Sequence, residues 1–109
     1  MAYDEALAQR IREELEGTPG LSEKKMFGGI AFLLQGNMAA GVIKEGLMVR
    51  VGPERYPDAI SQPNVQPFAM TGRPMQGWVL VAPPGVASRE DLTGWLKQGV
   101  SYALSLPAK

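Results

Sequence analysis

The side chains best placed to bind a ligand are three cations, Lys25, Arg50 and Arg73. A guanidinium presents a planar fork that pairs with a carboxylate or phosphate at two points. One hypothesis is that the three cations converge to bind a small anion or an acidic partner. The alternative, which we favour, is that they are solvated charges on the outer face of a sheet. Charged groups more than ~10 Å apart would be decoupled by screening, which would exclude a shared site.

Two residue types that dominate enzyme chemistry are missing, because the chain has no cysteine and no histidine. This excludes thiolate nucleophiles and disulfides and removes the commonest general base and nitrogen metal ligand. Glu54 with Asp58, and Glu90 with Asp91, are carboxylate pairs without an accompanying nucleophile or metal-ligand cluster. We interpret them as surface charges on helices. No catalytic residue, cofactor or metal site is therefore predicted.

Charge and hydropathy narrow the possible environments and partners. Eleven basic and eleven acidic residues cancel, which argues against nucleic-acid binding driven by phosphate charge. No apolar run approaches the ~20 residues of a membrane span. The N-terminus is acidic and lacks the apolar region of a signal peptide. We expect a cytoplasmic protein folded as one domain over residues 1–109, a length typical of one domain.

Apolar periodicity and turn residues predict an α+β fold. Leu7, Ile11 and Leu15 form a helical stripe within residues 4–16, and Ser88 begins a last helix with a capping-box pattern. The order helix, three strands, short helix, two strands, helix predicts a five-stranded antiparallel sheet with helices packed around it. The strands are expected at residues 24–34, 38–43, 47–51, 65–70 and 78–81, and the short helix at residues 54–60. Gln35-Gly36-Asn37 is expected to form a hairpin turn.

Within this plan, Gly28-Gly29 is expected to bend a single first strand, because glycine inside a strand pattern usually marks a bulge or a close backbone approach. A phosphate-binding loop lacks the required spacing here. The methionines in or near the sheet are interpreted as flexible core-filling side chains, and the alternative is an adaptable, exposed binding surface. Alternation places Met48 on the same face as Arg50, so Met48 is the methionine expected to lie outside. Trp78 and Trp95 are expected to anchor the core where the last strand meets the last helix.

Several motifs in order resemble the TfoX N-terminal domain family, whose namesake regulates natural competence in bacteria. They are Lys25-Met26-Phe27-Gly28-Gly29, Gly36-Asn37-Met38, Leu47-Met48-Val49-Arg50-Val51-Gly52, Thr71-Gly72-Arg73-Pro74-Met75 and Gly77-Trp78. The resemblance implies structural motif roles for Phe27, Gly28, Gly29, Gly72, Pro74 and Trp78. It also implies a bacterial, cytoplasmic protein with no established enzymatic activity, whose α+β fold is shared with secretion-chaperone-like domains.

The sequence departs from the family pattern in two ways. Ala39-Ala40 stand where members of the family often carry cysteines, so a thiol role is not expected. The namesake also has a second, C-terminal domain, so a stand-alone N-terminal domain is expected here and a role in competence is not carried over.

These observations predict a non-catalytic interaction or regulatory domain that binds a protein through a sheet face or edge. The partner is either another protein or a second copy of the chain, as a homodimer. The possible edge strand at residues 65–70 motivates this hypothesis. The alternative is a small-anion-binding domain or weak enzyme that uses Lys25, Arg50 and Arg73.

Overall fold

The computed structural model describes residues 3–26, 28–70 and 73–108. Its helices and strands follow one another in the order α1 (Glu5–Leu15), β1 (Leu21–Met26), β2 (Gly29–Leu34), β3 (Asn37–Ile43), β4 (Gly46–Arg50), α2 (Tyr56–Ile60), β5 (Val65–Met70), β6 (Arg73–Val81), a 3₁₀ turn (Pro83–Val86) and α3 (Arg89–Ser105). The predicted α+β class is confirmed. Phe27 and Gly72 lie outside the described residues, as do the side chains of Arg73 and Pro74.

The sheet has six strands in the order β1-β2-β3-β4-β6-β5, and every neighbouring pair is antiparallel. The prediction of five strands was therefore wrong. Gly28-Gly29 does not bend one strand but lies at the turn between two: Met26 pairs with Gly29, and Gly28 has φ +72°. A side chain at residue 29 would place its Cβ 2.0 Å from the Val42 carbonyl oxygen, so the expected close backbone approach does occur.

The last strand was expected at residues 78–81, but β6 begins at Arg73, so its predicted start was wrong. Outside the first predicted strand, which the structure divides in two, the other helix and strand ends lie within two residues of their predicted positions. Gln35 and Gly36 form the predicted hairpin turn, with φ +53° and +84°, the left-handed backbone that a two-residue hairpin requires at both positions. The Asp4 carboxylate accepts a hydrogen bond from the Leu7 amide at 3.1 Å, and the Ser88 hydroxyl accepts one from the Asp91 amide at 3.0 Å. Both caps satisfy amides that the first helical turn leaves unpaired.

The main core lies between one face of the sheet and the helices α1 and α3. Both helices turn apolar stripes toward the strands, and Trp95 of α3 is buried there as predicted. At Gly99 the helix backbone touches the sheet directly, because an added Cβ would lie 2.4 Å from the Ala39 carbonyl oxygen. The small residues of β3 and Gly99 together permit this contact.

The opposite face of the sheet carries its own apolar cluster of Met48, Phe68 and Leu80. Met48 is only 2% exposed, so the expectation that it lies outside was wrong. Alternation placed Met48 on the correct face, but Leu80 pairs with it across β4 and β6 and Phe68 covers it. Its methyl group also lies over Gly41, which has no side chain to occupy that space.

Trp78 belongs to this second face and does not anchor the main core. The neighbouring Val79 and Val81 point into the main core, so alternation along β6 turns Trp78 and Leu80 the other way. Trp78 is half-buried and packs against the second cluster, with its ring centroid 6.4 Å from that of Phe68. The prediction was correct for Trp95 and wrong for Trp78.

Candidate functional site

The structure does not bring Lys25 and Arg50 together. Lys25 pairs with Ile30, whose side chain faces the main core, whereas Arg50 pairs with Trp78 on the opposite face. Their strands, β1 and β4, are three strand spacings apart, or about 14 Å. The backbone of Arg73 begins β6, five residues before Trp78. Lys25 therefore lies too far from Arg50, and on the wrong face of the sheet, to share an anion site with it.

Arg50 is instead held between two aromatic side chains. Its guanidinium carbon lies 5.3 Å from the ring centroid of Trp78 and 5.3 Å from that of Tyr102 on α3. Cations are attracted to ring faces at this distance. We call Arg50, Trp78 and Tyr102 the arginine clasp. Within the described part of the chain no carboxylate forms a salt bridge with Arg50.

A groove of about 440 Å³ adjoins the clasp, within the usual range of small-molecule sites. Its walls are the loop from Val51 to Arg55 and three residues of α3, which are Ser101, Tyr102 and Ser105. Gly52 has φ +90°, and an added Cβ would lie 2.5 Å from the Tyr102 ring. Because Gly52 has no side chain, the Tyr102 ring can pack directly against the loop.

The carboxylates do not assemble a reactive centre in the part of the chain that the structure describes. Over residues 3–26, 28–70 and 73–108, no three His, Cys, Asp or Glu side chains are placed to hold a metal ion. Glu54, Asp58, Glu90 and Asp91 are all exposed. Glu90 and Asp91 lie in the first turn of α3, where negative charge stabilises the helix.

The two edge strands of the sheet, β5 and β1, differ in how well each could pair with an added strand. β5 is an edge strand, as the sequence predicted. It contains Pro67, which has no backbone donor, and its register with β6 shifts between Pro67 and Ala69. Proline and bulges are common protections against edge pairing. β1, by contrast, pairs with β2 over six residues without a shift, and residues 22–25 are exposed.

Hydrogen bonds at the start of β1 show which backbone groups face outward. The Gln35 amide donates to the Gly20 carbonyl at 3.0 Å, whereas the Leu21 amide turns away from β2 to the Thr18 carbonyl at 3.3 Å. Antiparallel strands alternate between bonded and non-bonded pairs. Glu23 and Lys25, two and four residues after Leu21, therefore direct their N–H and C=O groups to the free edge.

One side chain on this edge is fixed by α1. The Glu23 carboxylate accepts hydrogen bonds from the Arg12 Nε at 2.9 and 3.0 Å. This hydrogen bond raises the pKa of the Arg12 guanidinium, and the charge of Glu23 adds to the effect. The pair fixes Glu23 on the helix side of the sheet, the side on which Lys25 also lies.

Neither the free edge of β1 nor the arginine clasp was predicted from the sequence, because neither follows from a local pattern. The polar run Ser22-Glu23-Lys24-Lys25 carries no apolar alternation, so β1 was not recognised as a strand of its own. The one local signal for a turn after β1 is the Gly28-Gly29 pair. The clasp depends on β6 lying beside β4, which is a matter of strand order.

The family model described as TfoX N-terminal domain matches residues 13–103 of the chain. The chain belongs to the TfoX N-terminal domain family. The match runs from the last three residues of α1 to near the end of α3, so every described strand of this TfoX N-terminal domain lies inside it. No curated protein and no solved structure matched the chain. None of the described helices is both long and apolar enough to cross a membrane.

Proposed function

We propose that this TfoX N-terminal domain is a non-catalytic, regulatory interaction domain of the bacterial cytoplasm. It binds a protein partner by adding a strand to the free edge of β1. The observation that carries the proposal is the regular, exposed edge at which Glu23 and Lys25 direct backbone donors and acceptors outward. Strand addition draws its affinity from main-chain hydrogen bonds of this kind. The absence of cysteine and histidine from the sequence agrees with a non-catalytic role.

The proposal identifies β1, and not β5, as the edge that binds. A strand added beside β5 would meet Pro67 and the register shift that follows it. A strand added beside β1 would meet an uninterrupted six-residue partner. On the helix side it would also meet a paired charge, Glu23 with Arg12, and an exposed Lys25. Backbone pairing then supplies affinity and these charges supply selectivity.

Lys25→Pro tests the proposal directly. Proline removes the outward-facing amide of residue 25 and no hydrogen bond between β1 and β2. Lys25→Ala is the matched control, because it removes the same side chain and keeps the amide. Affinity capture from the native cell should recover a partner with the wild type and Lys25→Ala and lose it with Lys25→Pro. Capture of the same partner by a folded Lys25→Pro variant would show that the edge does not bind it.

The arginine clasp supports a second candidate function, which is binding of a small anion. Tyr102, which contacts Arg50, lines a groove of about 440 Å³, and no described carboxylate forms a salt bridge with Arg50. Arg55 adds a second cation to the groove and Glu54 an opposing charge. Lys25 lies too far away to contribute, and a contribution of Arg73 remains part of this proposal.

Thermal shift against phosphates, nucleotides and carboxylates tests anion binding. A ligand that binds only the folded state raises the melting temperature as its concentration exceeds the dissociation constant. Arg50→Lys keeps the charge but loses the two-point fork, so it should abolish the shift. Lys97→Ala, an exposed change on α3 away from the clasp, should leave the shift intact. Equal shifts in wild type and Arg50→Lys would exclude the clasp as the site.

A further inference from the structure

We propose that the strand added to β1 is β1 of a second copy, paired antiparallel so that Glu23 of each chain lies opposite the partner's Lys25. The inference rests on the proposed function, because it names the partner that the free edge accepts. It would join two six-stranded sheets into one across a two-fold axis. The evidence is the combination of outward backbone groups with side chains of opposite charge on the same two residues.

Geometry restricts the possible registers. In an antiparallel ladder the residues that exchange hydrogen bonds must both face the shared edge. On β1 these are Leu21, Glu23 and Lys25. Glu23 opposite itself would bring two carboxylates together, and Lys25 opposite itself would bring two ammonium groups together. The register with Glu23 opposite the partner's Lys25 places opposite charges side by side twice, and such cross-strand pairs are stabilising.

The Arg12–Glu23 ion pair favours this register, because it positions the Glu23 carboxylate. Arg12 holds the Glu23 carboxylate on the helix side of the sheet, with a shortest distance of 2.9 Å. Lys25 lies on the same side and is exposed. The partner's Lys25 would therefore complete a cation–carboxylate–cation group at each end of the interface. Networks of this kind contribute more than isolated surface pairs.

The same register creates one unfavourable contact, and this makes it testable. Lys24 lies between Glu23 and Lys25 and points to the opposite face, where it pairs with Ala31. The two-fold axis passes between Lys24 and its symmetry mate, so two ammonium groups face each other. Like charges directly opposite destabilise strand pairing. Lys24 thus weakens the dimer and makes it respond to concentration and to salt.

The dimer should be weak, because in this register only residues 22–26 of each β1 pair, and five paired residues bury less surface than the ~800 Å² per partner of a stable complex. Sedimentation equilibrium from micromolar to millimolar protein measures it. Lys25→Glu should weaken association by about tenfold, since two attractive pairs become repulsive. Lys24→Thr should tighten it severalfold. Lys44→Glu, the same charge change at an exposed turn residue, should leave it unchanged.

Amide hydrogen exchange provides a second, independent test of the dimer. The Glu23 and Lys25 amides should gain protection as protein concentration rises, because they become bonded only in the dimer. If neither Lys25→Glu nor Lys24→Thr changes the dissociation constant of the dimer, the proposed register is wrong. A chain that stays monomeric at millimolar concentration, while partner capture still fails with Lys25→Pro, would overturn self-pairing and leave the edge function standing. Capture that survives Lys25→Pro would instead remove the edge function itself.

Discussion

Arg50 and Trp78 are direct neighbours across β4 and β6, and the guanidinium carbon of Arg50 lies 5.3 Å from the centre of the Trp78 ring. Tyr102 approaches the same guanidinium at the same distance from α3. The clasp therefore links the second face of the sheet to the last helix. Of the three clasp residues only Tyr102 also lines the groove.

Arg50→Ala should lower the free energy of unfolding by about 1 kcal/mol, the scale of a partly exposed cation–π contact. Urea denaturation measures the change. Arg55→Ala is the control, because Arg55 lines the same groove and is exposed, and exposed substitutions usually change stability by less than about 0.5 kcal/mol. Equal effects of the two substitutions would mean that the rings contribute nothing to stability.

Gly99→Ala and Gly94→Ala should act in opposite directions although both lie in α3. At residue 99 the new Cβ would lie 2.4 Å from the Ala39 carbonyl oxygen, whereas nothing lies within 4 Å at residue 94. Gly99→Ala should therefore destabilise by roughly 1–3 kcal/mol through overpacking. Gly94→Ala should stabilise by up to about 1 kcal/mol through helix propensity. Thermal melts of the two variants distinguish the positions, and a gain from Gly99→Ala would refute the close contact.

Met48→Ala should lower the free energy of unfolding by about 2–5 kcal/mol, the range for truncating a buried methionine to alanine. The side chain is 2% exposed and lies among Phe68 and Leu80. Met38→Ala is the matched control, because Met38 is only partly buried at the border of the same cluster, and it should cost less. Guanidinium unfolding curves give both values. A negligible loss at residue 48 would mean that the second face is open.

The Arg12–Glu23 pair should be insensitive to alkaline pH. The hydrogen bond to Glu23 raises the pKa of Arg12 above its ordinary value. A raised folded-state pKa gives stability that is fully present below the unfolded value and is lost only above the folded value. Since Arg12 titrates in strongly alkaline solution, the stability difference between wild type and Arg12→Gln should be equal at about pH 7 and about pH 10. A difference that disappears by pH 10 would contradict the pairing.

Local patterns in the sequence predicted the features that depend on a few adjacent residues. The stripe of Leu7, Ile11 and Leu15, the Ser88 cap and the Gln35-Gly36 turn each carry a local physical cause, and the structure has all three. The α+β class followed from the order of these elements. The family was predicted from motifs that recur along the chain, and the match over residues 13–103 confirms it.

Features that depend on strand order could not be read from the sequence. Gly28-Gly29 is compatible with a bend or a turn, and the choice depends on the pairing of the polar residues 21–26 with β2. Alternation showed that Met48 and Leu47 face opposite ways, but not that Leu80 and Phe68 cover Met48. Likewise, no pattern within β1 or β4 reveals that these strands lie three strand spacings apart, with Lys25 and Arg50 on opposite faces of the sheet.

The backbone contact between Gly99 and Ala39 leaves no layer of side chains between α3 and β3 at that point. Side chains usually act as adjustable spacers, and without them the helix cannot roll or slide over the strand independently. α3, β3 and the strands bonded to β3 must therefore shift as one block. Any rearrangement on partner binding would be confined to the outer strands, so that the domain presents its edge from a stiff frame.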